Sequence, residues 1–353
     1  MKARKRLYGL DVFRIILALI TFMFHTAIHF NCTYGVLQGF IRNGAVVMSG
    51  FFILSGYSLF YVCREHELTK INNIVYFYKK RILGLFPVYY VSAIIYTIFI
   101  APETPLQKVL LFPIEILGLQ SIYDSLFSVG HNGGTWFISC FLICYLTFPL
   151  LQIICKQISN RAKLILFLLC CFVLFISPFI IKVFELSSIY SNPFFRLLEF
   201  AMGVILASAY AMCTKYIFIY KIFVNKVTII VMTIWIILFI SVCNWRGIGS
   251  GNYMFLSIGT LIPLAIIVYN LGNLEFGKII SNKVVLYLSS LSYSFFLSQL
   301  FMPKLGKLIF EYFDCPNILK ILVLLSLCVV ISITLRELVE KPCGKLWKHL
   351  KFI

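Results

Sequence analysis

The stretch LDVFRIILALITFMFHTAIHF, residues 10–30, is apolar enough to cross a bilayer, yet it carries Asp11, Arg14, Thr21, His25 and His29. With Ala18 between positions 14 and 21, these residues follow steps of three and four and lie on one line along an α-helix. Arg14 and His25 are eleven residues apart, which is about three turns, nearly the same azimuth and roughly 16 Å of rise. An ionisable side chain at membrane depth costs about 2.5–3.5 kcal/mol on insertion scales. A row of them facing the interior of a helix bundle is therefore a functional candidate. The structural alternative has Asp11 and Arg14 as interfacial anchors and His25 as a satisfied bundle histidine.

The rest of the chain agrees with a membrane solvent. Its 353 residues are 61% hydrophobic and 12% charged, with a mean hydropathy of +0.96. Soluble domains are nearer half apolar and about a quarter charged. Lys2, Arg4, Lys5 and Arg6 lead into the first apolar run without a small-residue cleavage site, so this run reads as a retained anchor. The net charge of +18 is held mainly between apolar runs. That distribution fits loops against anionic lipid and not a nucleic-acid partner.

Ten apolar runs are expected to span the bilayer: 10–30, 44–62, 83–101, 135–155, 164–181, 194–213, 227–243, 253–271, 284–302 and 318–337. Each is close to the ~20 residues that a spanning helix needs. The expected fold is an all-α integral membrane protein, a polytopic bundle of about ten transmembrane helices in one domain. Basic residues set the orientation. Arg64, Lys70, Lys79, Lys80, Arg81, Lys156, Arg161, Lys163, Lys215, Lys221, Lys226, Lys278, Lys283 and the tail lysines 341, 345, 348 and 351 all fall on the side of the basic N-terminus. Both termini are therefore expected to be cytoplasmic. Lys304, Lys307 and Lys320 are the exception, on the outer side.

The outer segment 102–134 is long, contains Pro102, Pro105 and Pro113, and ends in GHNGGT. Loops of this length are often functional, so it reads either as an interfacial or re-entrant element beside a substrate or as an inert surface segment. The twelve cysteines show no metal-like spacing, and no metal is expected. A disulfide between Cys32 and Cys315 is possible in this topology.

His25 is the candidate general base, since neutral imidazole accepts a proton near pH 7; His29 is the alternative, one turn further out. A line from an inner cation to an outer base suits a reaction whose substrates come from opposite sides. Lys79, Lys80 and Arg81, in YFYKKRILGLFPVYY, read as a phosphate site or as plain orientation signal. In GAVVMSGFFILSGYSLF, residues 44–60, the small residues permit close helix packing. No nucleophile elbow is present. Arg196 and Glu199, in FFRLLEFAMG, form either a structural pair or a substrate contact. RELVEKP, residues 336–342, reads as an interfacial pair network.

Taken together, these segments resemble the membrane-bound acyltransferase family 3, which includes O-acetyltransferases of cell-surface glycans. The resemblance rests on Arg14 and His25 in LDVFR…H, FFILSG at 51–56, KKRILGLFPVYY at 79–90, TWFISCFLICYLTFPLL at 135–151, FRLLEFAMG at 195–203 and VEKP at 339–342. The motifs follow the family order over nearly the whole chain. Three positions depart from the pattern: Gly84 replaces a second arginine, Gln299 replaces a histidine, and Cys140 and Phe141 stand where some subgroups have a glutamate.

The resemblance implies transfer of an acyl group, most often acetyl, from acyl-CoA to a hydroxyl of an extracytoplasmic glycan, cell-surface or lipid-linked. It implies a multi-pass protein of the bacterial cytoplasmic membrane. Acetyl-CoA would be the co-substrate, its phosphates meeting Lys79, Lys80, Arg81 and Arg14. His25 would be the base and Asp11 would orient Arg14. Trp136, Arg196, Tyr57 and His29 would meet the substrate, and Tyr57, Thr21 or Trp136 would donate to the oxyanion. Two other readings stand beside it: a proton-coupled transporter or flippase of lipid-linked sugars using His25 and Arg14 as a relay, and a non-enzymatic membrane scaffold.

Overall fold

In hydrocarbon every backbone N–H and C=O must be satisfied within the protein, so an apolar chain of this kind folds as helices. The computed structural model describes residues 6–185, 190–209, 224–248, 253–277, 282–312 and 315–350. Lys2, Arg4, Lys5, Lys215, Lys221, Lys278 and Lys351 lie outside the described residues.

Among the described residues there is no strand. Helix α1 (Tyr8–Phe30) closes on Asn31 in the left-handed conformation, which asparagine tolerates. A short 3-10 turn, Gly44–Val47, leads into α2 (Met48–Cys63). There follow α3 (Ile71–Phe99), α4 (Pro105–Ile116), α5 (Asn132–Gln157), α6 (Asn160–Val183), α7 (Pro193–Ser208), α8 (Lys226–Trp245), α9 (Tyr253–Asn273), α10 (Lys283–Ser298), α11 (Met302–Tyr312) and α12 (Asn317–Leu335). A single π-helical turn, Arg336–Glu340, joins α12 to α13 (Lys341–Leu350). Ser159, Asn192, Asn225 and Asn282 cap the helices that follow them by accepting a backbone N–H, as expected of these short polar side chains.

Among the described residues, eight helices are long and apolar enough to cross a membrane, and the pair α10–α11, bent by 73°, makes a ninth if it counts as one span. The protein is thus an all-α multi-pass membrane protein. The ten runs differ from this count in two places. Helix α7 has 16 described residues, and α10 stops at Ser298 before turning into α11. The third span also begins earlier than its apolar run. Helix α3 extends back to Ile71, so Lys79, Lys80 and Arg81 lie on a helix and not in a loop. Lysine and arginine are good helix formers whose long stems lie along apolar surface.

The segment after α3 is structured. Thr104 and Gln107 form a reciprocal capping box, with Pro105 at the first helical position of α4. Leu106, Val109, Leu110 and Phe112 on α4 are exposed, as on a helix lying in the membrane interface. All described cysteines are free thiols, Cys32 and Cys315 included.

The core is organised around α2 and α7. A Cβ built on Gly56 would lie 2.0 Å from Phe200 O, and one on Gly203 would lie 1.9 Å from Ile53 O. The two backbones touch where neither helix carries a side chain, the small-residue packing on which membrane helices rely. Gly203→Ala is expected to cost about 1–3 kcal/mol through overpacking, seen as a lower midpoint of thermal unfolding in detergent. Gly84→Ala, where an added Cβ meets no atom within 4 Å, is expected not to lower it.

Candidate active site

Two cavities enter the bundle from opposite ends, and α1 lines both. The near cavity, at the end that carries the N-terminus, has a volume of about 410 Å³. Arg14 of α1, Lys80, Arg81 and Gly84 of α3, Tyr145 of α5 and Glu340 of the π-turn line its polar part. The far cavity measures about 390 Å³. His25 and His29 of α1 line it with Tyr96 of α3, His131, Gln299 and Lys304.

The partition between the cavities is thin. On α10, Phe296 lines the near cavity and Gln299 the far one. On α5, Gly134 lines the far cavity and Phe137 the near one. Three residues of helix correspond to about 4.5 Å. The rings of Phe137 and Phe296 meet edge to face here, with centroids 4.6 Å apart. Thr21 and Phe22 of α1 are buried at this depth, with Phe22 packed on Phe295 at 6.0 Å. The polar line on α1 is thus interrupted by a dry layer. Thr21 Oγ1 donates back to Leu17 O at 2.9 Å and faces neither cavity.

Asp11 fixes the near end of the line. Its carboxylate accepts from Arg6 Nε at 2.8 Å and from Ser289 Oγ of α10 at 2.8 Å. Arg14 Nη1 lies 3.6 Å from the same carboxylate and donates to Ser289 Oγ at 3.3 Å. Arg14 is thereby held by α1 and α10 together. The Arg81 guanidinium stands 5.5 Å from the Phe77 ring and 5.8 Å from that of Tyr145. Its buried Nε has no hydrogen-bond partner. Lys80 lines the same cavity, whereas Lys79 is exposed and does not.

At the far end, His25 contacts Phe24 and His29 only through ring edges, with centroids at 5.4 and 5.8 Å. Among the described residues its nitrogens make no hydrogen bond, so they are open to the cavity. His131 is different. Its Nδ1 lies 3.1 Å from Glu115 Oε1, and its Nε2 lies 3.0 Å from Tyr89 OH, which also meets Glu115 O at 2.6 Å. Nε2 is hydrogen-bonded, Nδ1 faces the Glu115 carboxylate without a hydrogen bond, and the residue brings α3, α4 and α5 together at the cavity wall. No three His, Cys, Asp or Glu side chains among the described residues converge as a metal site would require.

Three residues expected at the substrate are placed in the packed core instead. Arg196 is 1% exposed; it donates to Glu199 at 2.8 and 3.0 Å and to Ser49 Oγ at 3.3 Å. Its guanidinium lies 5.2 Å from the ring of Trp136, which is itself buried between Tyr190 and Phe52. Tyr57 is buried against Gly272, and its hydroxyl accepts from Asn273 Nδ2 at 3.3 Å. None of the three lines either cavity. Conversely, Ser289 and Tyr145 at the near cavity and His131 at the far one do not stand out in the sequence as single residues, whereas Glu340 lies in the RELVEKP run. His131 bears one signal, as the single histidine of the long outer segment, where Glu103, Glu115 and Asp124 are the acids.

A family model described as an acyltransferase domain matches residues 7–337. A comparison with curated proteins found no match, and a comparison with solved structures found none.

The buried pair at Arg196 gives a stability test. Removing one partner of a buried ion pair costs about 3–5 kcal/mol, while replacing both by apolar residues is often nearly neutral. Arg196→Met is expected to lower the unfolding midpoint sharply, and Arg196→Met with Glu199→Leu to recover most of the loss. A substrate contact at Arg196 would instead leave stability intact and reduce turnover.

Proposed function

The chain belongs to acyltransferase family 3, and on that premise we propose that it transfers an acyl group, acetyl first among them, from cytoplasmic acyl-CoA to a hydroxyl of a glycan across the bacterial cytoplasmic membrane. The observation that carries this reading is the division of one helix between two cavities. Arg14 joins a cation-rimmed cavity at one end, and the unpaired His25 faces a second cavity at the other.

Arg14, Lys80 and Arg81 outnumber the single acid, Glu340, among the residues of the near cavity, which suits a polyanionic donor. Arginine binds phosphate by a planar fork and lysine as a point charge. The near end takes the cytoplasmic side, supported by Lys79, Lys80, Lys156, Arg161 and Lys163 along it. The CoA phosphates rest against Lys80 and Arg81, and the pantetheine arm follows the aromatic wall toward the partition. Asp11 acts through Arg14 as a positioning residue.

A glycan hydroxyl enters the far cavity, cell-surface or lipid-linked. A nitrogen of His25 accepts the hydroxyl proton as the oxygen attacks the thioester carbonyl. The tetrahedral intermediate then expels the thiolate: the C–S bond breaks, the ester C–O bond remains, and the proton held on His25 passes to the thiolate sulfur. The Phe137–Phe296 contact lies on the path of the thioester, so these rings must part for donor and acceptor to meet.

Labelled acetyl-CoA and the purified protein in nanodiscs test this reading. Wild type and His25→Ala are expected to bind the donor alike, with acceptor-dependent thioester cleavage lower in the variant by about 10²–10⁴-fold, the usual share of general-base catalysis. Lys80→Gln combined with Arg81→Gln is expected to raise the donor Kd at least tenfold. Failure of wild type to bind acetyl-CoA or a longer acyl-CoA would overturn the donor assignment. Label retained covalently on the protein with donor alone would replace direct transfer by a two-step route.

A further inference from the structure

Lys304, Lys307 and Lys320 gather positive charge on the outer side, against the charge rule, and the structure places two of them at the far cavity. Helix α11 turns by 73° from α10. Its first two turns carry Lys304 and Lys307, three residues apart on one face, both exposed and both lining the cavity that His25 lines. Lys320, by contrast, stands over the Phe310 ring at 5.9 Å. Among the described residues neither Lys304 nor Lys307 makes an ion pair or hydrogen bond.

No aspartate or glutamate is among the residues that line this cavity. Two acids of the outer segment face other groups: Glu103 Oε1 accepts from Gly130 N at 2.6 Å, and Glu115 faces His131; Glu311, one turn beyond Lys307 on α11, does not line the cavity. A second observation points into the same space. Gln299 is 3% exposed, its Nε2 reaches Phe295 O at 3.4 Å, and its buried Oε1 has no partner. A buried acceptor left unpaired costs about 1–3 kcal/mol, which a ligand hydroxyl would relieve.

We propose that the acceptor of this enzyme is an anionic glycan, bound through a phosphate or carboxylate at Lys304 and Lys307, with one of its hydroxyls donating to Gln299 Oε1 and another presented to His25. This inference rests on the acyltransferase reading of the same cavity. The two lysines sit at the lip and draw the charge, while Gln299 sets the sugar's orientation below them. A purely neutral acceptor would leave two unpaired cations facing its site. The acceptors of choice are therefore sugars that carry a phosphate ester, a phosphodiester or a uronic acid.

Equilibrium binding tests this without turnover. The protein in phosphatidylcholine nanodiscs is titrated with methyl galactoside, galactose 6-phosphate and galacturonate, as wild type, as Lys304→Gln with Lys307→Gln, and as Gln299→Leu. At least one anionic sugar is expected to bind at least tenfold more tightly than the neutral one; whether phosphate, carboxylate or both do so identifies the anion. The double lysine variant is expected to erase that preference, and Gln299→Leu to weaken all bound sugars alike. Acetyl-CoA binding is measured in the same samples. Its loss in wild type counts against the donor assignment alone. Equal binding of neutral and charged sugars, a preference that survives in the lysine variant, or no binding of either anionic sugar overturns the inference. So does a lysine effect confined to association with phosphatidylglycerol vesicles, which would make Lys304 and Lys307 lipid-headgroup anchors.

Discussion

The contact between α2 and α7 is the constraint on which the rest of the bundle depends. Gly56 and Gly203 bring the two backbones together, and the Arg196–Glu199–Ser49 cluster crosses the same interface. In lipid, helices gain little from hydrophobic burial against one another, so close packing and polar bonds decide their association. Both devices are present at one crossing. Trp136 of α5 and Tyr190 close over the arginine, which extends the block to a third helix. The mobile chemistry of acyl transfer needs such a fixed reference, because α1, α5 and α10 must hold two cavities in register.

From that block the site follows by helix geometry. Helix α1 reaches both cavities because its polar residues lie on one line, and α10 runs beside it, giving Ser289 to the near end and Gln299 to the far end. The two cavities differ in their side chains. The near one gathers Arg14, Lys80 and Arg81 with Glu340, and the far one gathers imidazoles and an amide with Lys304 and Lys307 at its lip. Between them lies only a turn of helix filled by phenyl rings. An enzyme that joins substrates from two compartments needs such a division, since a continuous aqueous path would short-circuit the membrane.

Much of this was legible in the sequence, and the exceptions have physical causes. The line Asp11, Arg14, His25 follows from helical periodicity alone, and the pairing of Arg196 with Glu199 follows from their spacing. The burial of Trp136 and Tyr57 does not, because aromatic residues serve equally as cavity walls and as core, and only the packing of α2 against α7 and α9 decides. Lys79 and Lys80 are neighbours in sequence but about 100° apart on the helix, so one points away from the cavity that the other lines. His131 becomes part of the wall only when Tyr89 and Glu115 meet it from two other segments. The bend after Ser298 falls within a run that reads as one continuous span, and it is this bend that carries Lys304 and Lys307 to the cavity.

The thin layer at Phe137 and Phe296 has an electrical consequence. When water fills both cavities, a transmembrane voltage no longer falls across the full ~30 Å of hydrocarbon; it is concentrated across about one turn of helix. A charge that crosses this layer meets nearly the whole potential, worth about 2.3 kcal/mol per 100 mV, while charges that stay in either cavity meet almost none. In the proposed transfer, the hydroxyl proton that His25 takes is passed to the thiolate, so the thiol withdraws to the near side uncharged and little net charge moves through the field. The energised membrane would then leave the reaction almost undisturbed.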